Sequence, residues 1–339
     1  MNPLSKALLS LPDPVFRLLF GKPEERDGQT LDKSAQLIVK LMRAWPSIGL
    51  DGTRTAEEAR RAMGRAPKLP GWRREWAVPT EEVTLPSEGG GLRALLFRPP
   101  GAEGGPVIVF FHGGGFVLGT PEEHALPCHQ LAKLTGYTVV SVDYRLAPEH
   151  PFPAAPHDAR DAVLAVHTLA DALRVDASRL AVCGDSAGGT LSLAASLQLR
   201  GTPHAPTAQA LIYPTTDAVD ECPSRATFAE GYLLTNQGIR WFRDNYLPNE
   251  ADREHILASP IRGHDLSGLP PSLLVVAGFD PIRDESTLLQ KALVAHGNAV
   301  ERFDYPGQFH GFFVVGDVVP EGLEAVERTA AWLVERLGG

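Results

Sequence analysis

Five short runs of continuously apolar residues, separated by helical patterns, constrain the fold of this chain more than any other feature. Runs without polar alternation are typical of strands that are buried on both faces of a parallel sheet. Amphipathic helical patterns cover 163–173, 288–295 and 323–337. The alternation predicts an α/β domain with a mostly parallel central sheet and helices on both of its faces. The apolar runs cover 107–111, 138–142, 180–183, 209–213 and 273–277, and a more polar sixth candidate covers 300–305.

Two segments depart from this alternation. Residues 1–75 carry helical patterns but no strand pattern, and the first strands are predicted in a hairpin at 82–97. Residues 217–265 are long and polar, with one helical stretch over 238–246. We therefore predict an N-terminal helical cap segment (1–75) and an α/β-hydrolase-type catalytic domain (76–339) with a cap insertion around 217–265. The apolar side chains that we expect to line the pocket beneath this cap are Leu37, Leu41 and Trp45.

Composition and charge exclude several classes of partner. The 339 residues are 43% hydrophobic and 22% charged, which is ordinary for a globular protein. The formal net charge of −9 would repel a polyanion, and no cluster of Lys and Arg compensates, so we expect no nucleic-acid partner. Cys128, Cys183 and Cys222 are widely spaced and form no C-x-x-C pair, which argues against a disulfide framework or a zinc site.

The N-terminus lacks the features of a secretory signal. Its first apolar residues are interrupted by Lys6 and followed by Pro12 and Pro14, with no small-residue cleavage site. The apolar runs are also much too short to cross a bilayer. We expect a cytoplasmic protein without stable membrane anchoring. The sequence leaves the oligomeric state open, a homodimer included.

A glycine-flanked serine follows one of the apolar runs directly. Gly184-Asp185-Ser186-Ala187-Gly188 comes after 180–183 and before a helix-compatible stretch over 190–199. This is the G-x-S-x-G nucleophile elbow, in which a sharp strand-to-helix turn exposes a serine oxygen above the sheet. A glycine-rich loop with a structural serine has the same pattern, so the rest of the chain must decide between the two.

A nucleophilic serine needs a histidine base and a carboxylate that orients the histidine. Asp280 follows the run 273–277, and His310 lies in a glycine-flanked loop after 300–305. Asp280 alone would be read as a helix N-cap, and Asp284 and Glu285 are nearby carboxylates inside the next predicted helix. The candidate triad is therefore Ser186, Asp280 and His310.

A triple-glycine loop gives a second, independent indication. His112-Gly113-Gly114-Gly115 follows the run 107–111 and can present backbone N–H groups to an oxyanion. We expect Gly114, Gly115 and Ala187 to be the donors, with His112, Gly113 and Asp185 in supporting positions. A phosphate-binding loop is disfavoured, because neither of the usual glycine-rich phosphate motifs is present.

Together these motifs resemble those of the bacterial hormone-sensitive-lipase-like esterases, an α/β-hydrolase family. The resemblance covers roughly residues 80–339 and, more weakly, the helical N-terminus. It implies Ser186 as nucleophile, Asp280 as orienting acid, His310 as base, a helical cap, and no metal or organic cofactor. Phe309 departs from the small or aliphatic residue that is common there, and we expect it to narrow the pocket near His310. The other matching stretches are Tyr144-Arg145-Leu146-Ala147-Pro148-Glu149, Ser259-Pro260 and Asp280-Pro281-Ile282-Arg283-Asp284-Glu285.

The function predicted from these residues is that of a serine carboxylesterase acting on small-molecule esters with short to medium acyl chains. An amidase, a carbamate hydrolase or a deacetylase with the same triad remains an alternative, because the motifs do not specify the leaving group. A small-molecule receptor on a disabled hydrolase scaffold is a third alternative. Such a receptor normally lacks a triad member, whereas all three are present here.

Overall fold

A computed structural model describes residues 3–43, 53–65 and 76–338, and its centre is an eight-stranded sheet. The strand order is β10-β9-β8-β7-β5-β6-β4-β3. The ladders from β6 to β10 are parallel, whereas β4 pairs antiparallel with both β3 and β6. The strands are β1 (Glu25–Arg26), β2 (Gln29–Thr30), β3 (Thr80–Ser87), β4 (Gly90–Phe97), β5 (Pro106–Phe111), β6 (Thr138–Val142), β7 (Asp176–Asp185), β8 (Ala208–Ile212), β9 (Ser272–Phe279) and β10 (Val300–Phe309).

Helices cover both faces of this sheet, which confirms the predicted α/β architecture. The α-helices are α1 (Pro3–Leu9), α2 (Asp13–Phe20), α3 (Lys33–Arg43), α4 (Ala56–Arg65), α5 (Ala125–Thr135), α6 (Ala154–Thr168), α7 (Ala170–Leu173), α8 (Ala187–Leu199), α9 (Pro223–Thr227), α10 (Asn236–Tyr246), α11 (Arg283–Ala295) and α12 (Pro320–Leu337). Two 3-10 helices cover Glu250–Glu254 and Phe312–Val315.

The side chains of β5 show how the sheet separates two layers of core. Ile108 and Phe110 pack into the cluster that contains α5 and α12, whereas Val107, Val109 and Phe111 pack into the cluster that contains α6 and part of α8. Successive side chains of a strand point to opposite faces, so a strand buried on both faces needs apolar residues at every position. This requirement explains the continuous apolar runs, and all six predicted strands and the hairpin are present.

Helix α5 was not predicted, and its burial explains why. Nearly every residue of the helix is buried, polar ones such as His129 and Gln130 included. A helix that is covered on all sides has no apolar stripe and therefore no helical periodicity in its sequence. The short helices α1, α2 and α9 and the two-residue strands β1 and β2 were also not predicted.

Helix α3 packs differently from the expectation that it lines a pocket. Ala35, Ile38 and Val39 belong to the same core cluster as α12 and β10. Leu37 is also buried, Leu41 is 47% exposed, and neither lines the cavity described below. The third expected lining residue, Trp45, lies outside the described residues. The expectation was wrong for Leu37 and Leu41, because this helix covers the β10 edge of the sheet.

The three cysteines are free thiols. Within the described residues, the structure contains no helix that combines the length and the apolar character needed to span a membrane.

Candidate active site

The turn between β7 and α8 holds Ser186 in a conformation that few residues other than glycine adopt, with φ 55° and ψ −121°. The turn is tight because it passes over the end of β5. A Cβ built on Gly188 would lie 1.8 Å from the Phe111 carbonyl oxygen, and one on Gly184 would lie 2.5 Å from the same oxygen. Glycine is therefore required on both sides of the serine by close backbone approach. The Ser186 N–H donates to the Ile212 carbonyl at 2.8 Å, which anchors the turn to β8.

Three predicted side chains meet at this turn in one hydrogen-bonded chain. His310 Nε2 lies 2.9 Å from Ser186 Oγ, and His310 Nδ1 lies 2.7 Å from Asp280 Oδ2. Asp280 is completely buried and His310 is 7% exposed. The Tyr213 ring packs against the imidazole, with 4.7 Å between ring centroids. This geometry can transfer a proton from the serine hydroxyl to the imidazole while the carboxylate fixes the ring.

Asp280 lies directly after β9 and is the carboxylate that reaches His310. Its second oxygen, Oδ1, accepts a hydrogen bond from the Ile282 N–H at 2.9 Å. The neighbouring carboxylates have other partners. Asp284 Oδ2 accepts from the Ser224 N–H at 2.9 Å, and Glu285 pairs with Arg225 at 3.0 Å.

The triple-glycine loop lies beside the serine because β5 and β7 are neighbouring strands. Gly114 and Gly115 have φ values of 121° and 61°, which favour glycine. Ala187 is the first residue of α8, so its N–H has no acceptor within that helix. The loop is attached to the elbow through Asp185, whose Oδ1 accepts from the Gly113 N–H at 2.9 Å. Backbone N–H groups on this loop and at the helix start can stabilise a negative oxygen.

His112 is buried beneath the loop. Its ring stacks on Tyr144 with centroids 4.3 Å apart, and the Tyr144 hydroxyl donates to the His112 carbonyl at 2.8 Å. Burial and, to a smaller extent, the nearby His124 lower the pKa of His112 to about 3. A neutral imidazole donates from Nδ1 to the Gly113 carbonyl at 2.7 Å. The residue therefore supports the loop backbone and makes no contact with Ser186.

A cavity of about 230 Å³ opens in front of Ser186 and His310. Most of its wall comes from residues 217–258, and Met63 is the contribution of the N-terminal segment within the described residues. The Phe242 ring of α10 closes over the oxyanion loop so tightly that a Cβ on Gly115 would lie 2.3 Å from it. The apolar lining comprises Met63, Phe116, Leu118, Ala218, Val219, Leu233, Leu234, Ile239, Phe242, Tyr246, Leu247, Ala258, Ile282 and Val314.

A buried ion pair joins the 217–265 insertion to the first turn of α11, which follows the loop that carries Asp280. Arg225 and Glu285 are 5% and 1% exposed, and Glu285 Oε2 also accepts from the Thr216 and Asp217 N–H groups at 2.6 and 3.1 Å. Burial raises the pKa of Glu285, although Arg225 and the two N–H groups act in the opposite direction. The insertion is thereby fixed to the residues that follow Asp280.

Arg60 of α4 makes contacts beside the site that the sequence did not reveal. Its guanidinium donates to the Val117 carbonyl at 2.8 Å and to the Ala147 carbonyl at 2.6 Å, and it pairs with Glu149 at 2.8 Å. These contacts attach α4 to the end of the oxyanion loop. One of three arginines in an Ala/Arg/Glu-rich helix carries no signal of such a contact, because the partners are distant in sequence.

Phe309 does not narrow the cavity as expected. It is 1% exposed, pairs with Phe279 in the β9–β10 ladder and belongs to the main core. Its side chain packs in that core and does not contribute to the cavity wall. Among the described residues, no group of three or more His, Cys, Asp or Glu side chains is arranged to hold a metal ion.

Comparison with known proteins identifies relatives over most of the chain. A family model described as an alpha/beta hydrolase fold matches residues 108–314. A carboxylic ester hydrolase, LipN, of Mycobacterium tuberculosis is 38% identical, and the alignment covers 91% of this chain and 84% of that protein. An ethyl acetate hydrolase of Pseudomonas putida is 36% identical, with 83% of this chain and 91% of that protein covered.

Solved structures give the same result. An ester hydrolase from a Lake Arreo metagenome, solved with a bipyridine phosphonate derivative, superposes with a TM-score of 0.85 at 35% identity. That alignment covers 91% of this chain and 100% of the other. A hyperthermophilic esterase of Pyrobaculum calidifontis superposes with a TM-score of 0.81 at 36% identity, covering 90% of this chain and 98% of the other.

Proposed function

This chain belongs to the hormone-sensitive-lipase-like α/β-hydrolase family and is a carboxylic ester hydrolase, and on that premise we propose that it cleaves short- to medium-chain esters through Ser186, His310 and Asp280. The observation that carries the proposal is the hydrogen-bonded chain of these three side chains at the mouth of an apolar cavity. Ser186 Oγ attacks the ester carbonyl carbon while His310 Nε2 accepts the hydroxyl proton. The carbonyl oxygen becomes an oxyanion, which the N–H groups of Gly114, Gly115 and Ala187 stabilise.

The remaining steps use the same groups. Protonated His310 gives its proton to the leaving alkoxide, and an acyl group remains on Ser186. A water molecule then attacks the acyl carbon and transfers a proton to His310, which returns it to Ser186 Oγ as the acid leaves. Asp280 keeps the imidazole oriented with Nε2 toward the serine throughout.

We assign the cap role to the 217–265 insertion together with part of the N-terminal segment. The support is the cavity wall, which comes mostly from residues 217–258 with Met63 of α4. Two contacts hold these pieces: the Arg225–Glu285 pair on the acid side and Arg60 on the oxyanion side. An apolar cover excludes water and strengthens the hydrogen bonds that stabilise the oxyanion.

The size of the cavity favours small esters. A volume of about 230 Å³ lies below the ~300–1,000 Å³ that is common for pockets that hold drug-sized ligands. This space has to hold both the acyl chain and part of the alcohol. The apolar walls disfavour charged acyl groups.

Substitution of the serine tests the mechanism. Ser186→Ala should lower kcat on an aryl acetate by roughly four to six orders of magnitude, because the nucleophile is removed. Ser192→Ala is the matched control. Ser192 is a buried serine of α8, the helix that follows Ser186, and its hydroxyl donates to the Gly188 carbonyl. We expect it to keep kcat within about threefold. Retention of more than about a tenth of the activity in Ser186→Ala, with the control unaffected, contradicts the assignment.

A substrate panel separates ester hydrolysis from its alternatives. Aryl esters of increasing acyl length are compared with matching anilides and carbamates at equal enzyme concentration. We expect hydrolysis of the esters to dominate, with kcat/KM declining for long acyl chains. Faster cleavage of the anilides or carbamates would favour the amidase or carbamate hydrolase alternative, and binding without turnover would favour the receptor.

A further inference from the structure

A buried charge pair lies beside the nucleophile and outside the triad. Asp185, the residue before Ser186, is 4% exposed, and His124 at the start of α5 is 8% exposed. His124 Nε2 lies 3.5 Å from Asp185 Oδ1, the same oxygen that accepts the Gly113 N–H. Both side chains also line the cavity in front of Ser186. None of the proposed catalytic steps uses His124.

The surroundings of His124 require a proton on both ring nitrogens. Nδ1 lies 3.3 Å from the Thr120 carbonyl oxygen, and Nε2 faces the Asp185 carboxylate. Neither a carbonyl nor a carboxylate has a proton to donate, so each nitrogen must be the donor. An imidazole that donates from both nitrogens is a cation.

Among the titratable groups in this region, His124 and Asp185 are the two that carry a buried charge. Burial alone would lower the pKa of His124, but the Asp185 carboxylate and the Thr120 carbonyl raise it overall. Burial lowers the pKa of the adjacent His112 to about 3, so that ring stays neutral. The titratable groups that face the pair are His112, the exposed Glu123, and four side chains whose pKa burial raises: Tyr144, Tyr213, Cys128 and Cys183. The buried anion is therefore Asp185, and its counter-ion is His124.

We propose that His124, as an imidazolium, is a positioning residue that neutralises Asp185 while Asp185 holds the oxyanion loop through the Gly113 N–H. An unbalanced carboxylate at this position would repel the oxyanion that forms on the adjacent loop. Without the imidazolium, Asp185 would also lose the positive charge that keeps its carboxylate ionised as the acceptor of the Gly113 N–H. The inference rests on the proposed function, because it takes Gly114, Gly115 and Ala187 as the oxyanion donors.

The pair makes both rate and stability fall as the pH rises through the folded-state pKa of His124. Because the pKa of His124 is raised in the folded state, its stabilising contribution is complete below the unfolded value of about 6.5. The contribution is lost as the pH rises through the folded-state pKa. We therefore expect kcat to show an alkaline decline in addition to the acid decline that a histidine base produces.

The test compares His124→Gln with the double variant His124→Gln/Asp185→Asn. The glutamine amide can donate one hydrogen bond but carries no charge, so kcat should fall roughly tenfold or more while KM changes less than about threefold. The alkaline decline should disappear. The double variant removes the unbalanced charge, and we expect it to recover most of the lost kcat without recovering the alkaline decline.

Direct observation of the imidazole completes the test and does not depend on turnover. Nitrogen NMR of ¹⁵N-histidine-labelled wild-type protein, assigned with the His124→Gln sample or the double variant, should show His124 predominantly protonated on both nitrogens at about pH 6.5, where an unperturbed histidine is only half protonated. One bare nitrogen, or wild-type kcat and pH profile in His124→Gln, overturns the inference. If His124→Gln does not fold, the double variant and the spectrum decide. Activity remaining in Ser186→Ala would refute the proposed function instead, and it would leave the charge state of His124 unchanged.

Discussion

Replacing Asp280 with asparagine should invert the hydrogen bonding of the catalytic histidine. In the native site Oδ1 accepts from the Ile282 N–H and Oδ2 accepts from His310 Nδ1. The asparagine oxygen has to remain at Ile282, because an NH₂ group there would face another donor. Its NH₂ group then faces His310 Nδ1, which becomes an acceptor. The ring proton moves to Nε2 and points at Ser186 Oγ, where the base should be.

The size of the effect follows from this geometry. Asp280 is fully buried, so no water can replace the lost acceptor at low cost. A wrong histidine tautomer in a triad costs about 10⁴-fold in kcat, or about 5.5 kcal/mol. Asp284→Asn is the matched control, because Asp284 contacts Ser224 and Arg283 and its side chain is 25% exposed. We expect the control to change kcat less than about threefold.

The assay is kcat/KM on a short aryl ester for both variants, with thermal unfolding to establish that they are folded. More than about 1% of wild-type activity in a folded Asp280→Asn protein refutes the tautomer argument. A larger loss in Asp284→Asn than in Asp280→Asn refutes the choice of acid.

Two further substitutions test packing around the elbow and the cavity. Gly188→Ala should lower the free energy of unfolding, measured by urea titration, by more than about 3 kcal/mol, since its Cβ would lie 1.8 Å from the Phe111 carbonyl oxygen. The control is Gly64→Ala in helix α4, where the added methyl group meets open space. In the same titration this variant should be neutral or more stable by up to about 1 kcal/mol. Phe242→Ala should shift the preference toward esters with longer acyl chains, because the ring closes the cavity against Gly115. We expect kcat/KM to rise about fourfold for each added methylene group that gains contact. An unchanged chain-length profile would show that this ring does not limit the substrate.

Two kinds of element were predictable from the sequence: strands that are buried on both faces and helices that are buried on one face only. A parallel strand with apolar residues on both faces leaves an uninterrupted run, as in 107–111, and such runs located every parallel strand except β10, which was predicted from a more polar stretch. Helix α5 has the opposite property, because burial on all sides removes the periodicity that marks a helix. The packing of α3 was also unpredictable, since an apolar stripe indicates that a face is covered but not by which element.

The candidate triad was predictable because its members share a topological rule. Each follows a parallel strand, and the carboxyl ends of such strands meet at one edge of the sheet. His124 and Arg60 follow no such rule. Arg60 contacts the Val117 carbonyl 57 residues away, and His124, at the start of α5, pairs with the Asp185 carboxylate at the end of β7. Contacts of this kind depend on how the helices dock, which no local sequence pattern encodes.

The position of the site follows from the order in which the strands were laid down. From β5 the chain adds β6 on one side and then β7, β8, β9 and β10 on the other. The connection after β5 leads to α5 and the one after β7 leads to α8, and these helices cover opposite faces. The two loops therefore diverge and open a crevice at the point where the winding reverses, which is where open α/β sheets bind ligands. The triple-glycine loop and Ser186 lie on the two sides of that crevice.

The same topology places the proposed triad and most of the cavity wall on different segments of the chain. Ser186, Asp280 and His310 are attached to strand ends, whose spacing is fixed by the hydrogen-bond ladders of the sheet. The cavity wall comes mostly from the long connection between β8 and β9, which contributes no strand to that sheet. Substitutions in that connection can reshape the cavity without altering the proton transfer. Strand-end motifs therefore predict the triad, whereas the identity of the substrate depends on a segment that carries no motif for it.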